Sequence, residues 1–145
     1  MNKASFLSRF WALLVDWITI WIVGSAIGAA VTFFLNASAG SSSDFMGFLT
    51  VWVAVFLVIL VILLQFLYFG LLWSGSGQSL GMKIFKMKVV RRDDGPVSFL
   101  RAAFRGTVGY WISSLFFFLG YLWAAFDSDK EAWHDKIFDT WVVDS

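Results

Sequence analysis

The 145-residue sequence contains no cysteine, one histidine (His134) and one proline (Pro96). Without thiols there are no disulfides, thiolate metal sites, cysteine nucleophiles or S-acylation sites. A single histidine excludes a multi-histidine metal centre and leaves no second base for a nucleophile–base–orienter set. Neither a metal nor a cofactor nor an enzymatic activity is therefore expected. Charge is scarce too: 14% of residues are Asp, Glu, Lys or Arg, and the net charge is +1. No global field draws nucleic acid to such a chain.

What is present is apolar. Hydrophobic residues make up 59% of the chain and aromatics 20%, with nine Trp and seventeen Phe. A soluble domain has roughly 45–50% apolar and about 25% charged residues. One small core cannot hide this much apolar surface, so the natural solvent is a lipid bilayer.

The charges are also unevenly placed. None lies between Trp17 and Asn36, between Phe45 and Met82, or between Gly106 and Phe126. A bilayer core needs roughly 20 apolar residues as helix, and all three stretches reach that length. The first helix is expected over about residues 10–35 and the second over 45–73. The first follows Lys3 and Arg9 and ends near Ala37-Ser38-Ala39, which reads like a signal-peptidase site. Its length, and Asp16 near its start, favour a retained span over a signal peptide. The second helix would be roughly 43 Å long and must tilt or enter the headgroup layer.

Seven of the eleven basic residues lie in the polar region 74–105: Lys83, Lys86, Lys88, Arg91, Arg92, Arg101 and Arg105. The segment Asn36–Asp44 has none. The positive-inside rule then puts the N-terminus and the basic loop (74–100) in the cytoplasm and the Ser-rich turn outside. Anionic lipid headgroups are the expected partners of Lys83, Lys86, Lys88, Arg91 and Arg92. Phe85-Lys86-Met87-Lys88-Val89 alternates like a strand, and Asp93-Asp94-Gly95-Pro96 is a turn after which Val97-Ser98-Phe99 can return. Thr140–Val143 in the tail (127–145) is a second β-prone run, able to pair with Met87–Val90 if both share one side of the membrane. Gly75-x-Gly77-x-x-x-Gly81 matches no nucleotide-binding fingerprint and reads as a flexible exit from the second helix.

The third helical element (about 101–126) has two readings. As one span over 106–126 it sends the C-terminus outside. As a helix from Ser98, with Arg101 and Arg105 along the membrane surface, it bends near Ser113-Ser114 and returns, leaving the C-terminus inside.

Few residues can carry chemistry. Asp16 is a carboxylate at the edge of an apolar span, a costly placement that implies a partner or a function. Arg9, seven residues earlier, lies about 20° away around the same helix. The two can form a proton or cation site with Arg9 tuning Asp16, or an ion-pair gate; alternatively Arg9 is a topology anchor and Asp16 pairs with some Arg to hold the helices together. Gly24 and Gly28 make a G-x-x-x-G packing face, for a neighbouring helix or a second copy. His134 and Asp135, with Asp139 at i+4, form the last cluster. Asp127–Glu131 begins like a calcium loop but has Ala132 and Phe138 where the turn Gly and the bidentate Glu belong.

Taken together, three stretches resemble the RDD family of small bacterial integral membrane proteins. They are Ser8-Arg9-Phe10-Trp11-Ala12-Leu13-Leu14-Val15-Asp16, then Gly77-Gln78-Ser79-Leu80-Gly81-Met82-Lys83 followed by Asp94-Gly95-Pro96 and Arg105, and finally His134-Asp135 ahead of Thr140-x-Val142-Val143. The resemblance covers about residues 6–143. It implies that the naming Arg and two Asp are Arg9, Asp16 and Asp135, with Arg105 and His134 in support. It also implies an inner-membrane location and a cytoplasmic C-terminus. Transport is often proposed for the family. One departure is Phe138-Asp139, where many members have small residues before the Thr.

The expectation is a single all-α membrane domain over 1–145: two clear spans, a third broken or re-entrant helix, and a basic cytoplasmic loop with short strand. The expected function is proton- or cation-coupled transport by a homo-oligomer, since three helical elements hardly enclose a pathway. The alternative is a structural or adaptor membrane protein whose Arg–Asp pairs serve packing.

Overall fold

The computed structural model describes residues 2–38 and 43–145. Helix α1 spans Phe6–Ser38 and α2 spans Ser43–Gly75. The centre of the Ser-rich turn, 39–42, lies outside the described residues. After α2 come a short helix α3 (Leu80–Ile84), strand β1 (Met87–Arg91) and helix α4 (Phe99–Phe104). A π-helical turn over Arg105–Gly109 joins α4 to α5 (Tyr110–Phe126). Helix α6 (Trp133–Ile137) and strand β2 (Thr140–Asp144) complete the order.

α1 and α2 are each long and apolar enough to cross a bilayer, over Phe6–Phe33 and Gly47–Gly75. No residue of the most apolar stretch of α2 is buried inside protein. A helix that presents Val, Ile, Leu and Phe on every side needs lipid around it. Gly24 and Gly28 face α2: a Cβ on Gly24 would stand 3.1 Å from Val61, and one on Gly28 would stand 3.6 Å from Leu57. The small residues thus let the two helices pack within one chain.

The third element is bent. Its arms Phe99–Leu115 and Leu119–Phe126 meet at 87°. Gly120 makes the return tight, because a Cβ there would press on the backbone of Ser113. α4 docks on α2 where Gly70 meets Phe99 and Ala103. The π turn then brings Gly106 against Phe69, and its carbonyl accepts from Gln65 Nε2 at 2.7 Å. Gln65, the polar interruption of α2, therefore satisfies a backbone group that a widened turn leaves over.

The core sits at one end of the bundle, where Phe69, Trp73, Met82, Met87, Val97 and Tyr110 pack together. Strands β1 and β2 pair antiparallel, with Val89 opposite Val142. The N-terminal segment joins their edge: Lys3 bridges Val143, and Ala4 N donates to the Val142 carbonyl at 3.0 Å. Both ends of the chain thus lie together with the basic region. The geometry is that of the returning third element.

Two local expectations need correction. Val97-Ser98-Phe99 does not return as strand, because Phe99 already opens α4. The stretch Gly75–Gly81 is no loose exit either. Ser79 starts α3 and accepts from Met82 N, and Gly81 lies so close to the Ala12 carbonyl that no Cβ fits between them.

Candidate functional site

Two buried carboxylates organise the end of the bundle. Asp16 lies 10 residues after the start of α1 and is 1% exposed. Its Oδ1 accepts from Tyr68 Oη at 2.7 Å and from Gly81 N at 2.8 Å, and its Oδ2 accepts from Ser79 Oγ at 2.5 Å. Three elements meet on it: α1 brings the carboxylate, α2 brings Tyr68, and the start of α3 brings Ser79 and Gly81. Every donor is neutral. Tyr68 Oη also accepts from Leu80 N at 3.1 Å, which fixes the phenol in place.

Asp135, fully buried in α6, holds the cations instead. Arg9 Nη1 donates to its Oδ2 at 2.7 Å, and Arg105 Nη2 donates to its Oδ1. Ala132 N adds a third donor at 3.2 Å. Arg9 also donates to the Val142 carbonyl at 3.1 Å and the Ala4 carbonyl at 3.3 Å. Arg105 is 1% exposed. Its Nε donates to Thr140 Oγ1 at 3.0 Å, and its guanidinium lies 4.5 Å over the Trp73 ring.

Asp135 and its neighbour His134 titrate in a shared field. Burial by itself would raise the Asp135 pKa, but Arg105, His134 and Arg9 outweigh it and hold the carboxyl well below the usual range. Burial pushes His134 down to about 3, against the pull of Asp135 and helped by Arg105 and Arg9. The imidazole is therefore neutral, and its 3.7 Å approach to Asp135 is no salt bridge. His134 Nδ1 lies 2.8 Å from Ser113 Oγ, which ties α6 to the bent helix. Half-buried Asp127 is lowered chiefly by the hydrogen bond from Lys136.

Both carboxylate systems border one cleft of about 810 Å³. Arg9, Asp16, Arg105 and His134 all contribute to its wall, which is otherwise dominated by apolar side chains such as Leu13, Leu14 and Leu122.

The RDD family model matches residues 3–139 of this sequence. The chain belongs to the RDD family. It is also 31% identical over 141 residues to the uncharacterized membrane protein YteJ of Bacillus subtilis (strain 168), covering 97% of this chain and 80% of that one. No solved structure matches.

The RDD residues inferred from the motifs thus fall into two groups, not one. Arg9 and Asp16 share a helix face, yet no hydrogen bond or ion pair joins them. Arg9 turns to the tail, and Asp16 turns to the α2–α3 corner. Nor does Arg105 share the partly exposed position of Arg101: it is buried, while Arg101 is half-buried. Arg105 is drawn inward because Asp135 and Thr140 supply its acceptors.

Sequence reading missed the partners of Asp16. Ser79 and Gly81 belong to the quoted Gly77–Lys83 motif, but only the fold brings that motif to α1. Tyr68 is uncharged and lies 52 residues away from Asp16 in the chain. Of the expected lipid-facing cations, Lys83, Lys86 and Arg92 are exposed, and Lys88 and Arg91 half-buried. Arg92 is committed to Glu131 at 2.9 Å, and Arg91 to Asp93 at 3.0 Å. The departure at Phe138-Asp139 falls on a left-handed residue, Asp139, with φ 49°. Asp tolerates that conformation better than most side chains. Among the described residues no group of three or more His, Asp or Glu converges as a metal site.

Proposed function

We propose that this RDD-family membrane protein is a proton- or cation-coupled transporter in which Asp16 is the exchangeable site. The observation that carries the reading is a carboxylate inside a membrane helix, held only by neutral donors and bordering a cleft. Two of its three partners are hydroxyls. A hydroxyl can donate to a carboxylate or accept from a carboxylic acid, so the same shell accommodates both protonation states. The side-chain oxygens of Asp16, Ser79 and Tyr68 also suit a small hard cation. Arg9 has no part in this shell, so its role in the proposal moves from tuning Asp16 to fastening the tail.

The working unit in this reading is a homo-oligomer, because two spans and a bent third element cannot enclose a pathway alone. The N-terminus, the basic loop and the C-terminus lie in the cytoplasm, with Lys83, Lys86, Lys88, Arg91 and Arg92 near anionic headgroups. The decisive experiment is cation-dependent proton flux in proteoliposomes. Asp16→Asn should abolish it. Unchanged flux in an inserted, monodisperse Asp16→Asn protein overturns the reading.

The Arg9–Asp135–Arg105 cluster favours a second reading, a structural or adaptor protein whose ion pairs close the fold. Under it, Asp16→Asn lowers thermal stability and leaves no specific flux to lose.

A further inference from the structure

We infer that the cleft beside α1 is a binding site for an anionic single-chain amphiphile, with its head at the Arg9–Arg105 end and its chain along the apolar wall. This is independent of any flux through Asp16.

Four observations converge. The first is size: about 810 Å³ falls within the roughly 300–1,000 Å³ typical of small-molecule sites. The second is the wall. Phe10, Leu13, Leu14 and Trp17 contribute an apolar stripe from α1, and Leu122 of the bent helix lines the cleft as well. The third is charge. Two guanidinium groups, Arg9 and Arg105, converge on one carboxylate, Asp135, leaving one positive charge in excess. The nearby imidazole is neutral and does not change that sum. The fourth is an unanswered donor. Arg105 is 1% exposed and lines the cleft, and its Nε and Nη2 are engaged; for its Nη1 no protein acceptor lies in full hydrogen-bonding geometry, the Tyr110 side chain being the group that interacts with the rest of the guanidinium. A buried N–H on a permanent cation is costly to leave unmade, and an anionic oxygen is its natural complement.

Asp16 reaches the same wall, and its charge opposes an anion. It lies seven residues beyond Arg9, roughly 10 Å along α1. Its oxygens are covered by Tyr68, Ser79 and Gly81. The cleft therefore has a cationic end and a capped carboxylate farther along. That asymmetry orients a one-headed ligand. A fatty carboxylate and a single-chain lipid phosphate share this chemistry.

The test is equilibrium binding of radiolabelled oleate and of oleoyl lysophosphatidate to the full chain in a non-ionic detergent. Oleyl alcohol serves as the uncharged control with the same chain. Saturable binding of either anion near one per chain is expected, with the alcohol at least tenfold weaker. Which anion binds more tightly identifies the head. Arg105→Gln should lower affinity at least tenfold. Because that variant can fail to fold, Leu14→Trp, which fills the cleft without touching the charges, should also lower it at least tenfold at unchanged Tm. No saturable binding, equal binding of oleyl alcohol, or full affinity in folded Leu14→Trp protein overturns the proposal.

Discussion

Arg9 and Asp135 stand 126 residues apart in the chain and 2.7 Å apart in space. The pair fastens the beginning of the first membrane helix to the C-terminal tail. Arg105 completes the cluster from the third element, so one buried carboxylate links three parts of the molecule that have no local contact in sequence.

Neutralising that carboxylate should be severe. Asp135→Asn leaves two guanidinium groups without their counter-charge, and breaking a buried pair costs about 3–5 kcal/mol. Arg9→Gln should cost less, because Arg9 keeps some solvent contact while Arg105 remains to pair Asp135. Chemical unfolding in detergent measures both. Equal stability of Asp135→Asn and the parent chain would remove the cluster from any structural account.

The stability should fall with acid, and the sign can be worked out from His134. Its folded pKa, about 3, lies below the ordinary value of 6.5. The unfolded chain therefore takes up a proton first as the pH drops. The contribution is full above pH 6.5 and declines toward about 3, by about 1.4 kcal/mol per pH unit. Asp135, held below the usual carboxylate range, adds a loss in the same direction once the pH falls below its unfolded value near 3.8. Thermal unfolding between pH 8 and pH 4.5 should show the first slope, and His134→Gln should flatten it.

Two glycines in one motif should behave oppositely. Gly81→Ala forces a methyl into the Ala12 backbone, at the contact that brings α3 to Asp16. The folded yield should collapse. Gly75→Ala meets nothing within 4 Å at the end of α2. That change should be neutral or stabilising by about 0.5–1 kcal/mol. Size-exclusion profiles and Tm of the two variants make the comparison. A well-behaved Gly81→Ala protein contradicts the close approach.

Reporter fusions at both ends should give the same sidedness, since the N-terminal segment is bridged to β2, which pairs with β1. With the basic loop beside them, cytoplasmic signals are expected at both. Opposite signals would break the sheet.

Hydropathy and charge spacing were enough to find α1, α2 and the strand-like run at Met87, because lipid and the two-residue period act locally. They left the third element undecided. Its bend depends on Gly120 meeting Ser113 and on Gly106 meeting Phe69, and neither contact has a periodic signature. Arg9, Asp16 and Asp135 stand out in the sequence as scarce charges in an apolar chain. Their pairing does not. Seven residues on one helix face suggested Arg9 with Asp16, but the tail offered Arg9 a stronger, fully buried acceptor. Ser79 and Tyr68 carry no charge and come from other elements, so nothing in the linear pattern links them to Asp16.

The edge made by Lys3 and Ala4 against β2 has a consequence for biogenesis. The N-terminal segment is synthesised well over a hundred residues before its hydrogen-bonding partners, Val142 and Asp144. Until they emerge, Arg9 waits as an unpaired cation at the mouth of an inserted helix. The fold therefore closes only after Asp135 and β2 have emerged, and a nascent chain stalled before Asp135 should stay open to protease at residues 2–9. The membrane spans can be inserted one after another, but the clasp that makes them a single body forms only once residues 135–144 are available.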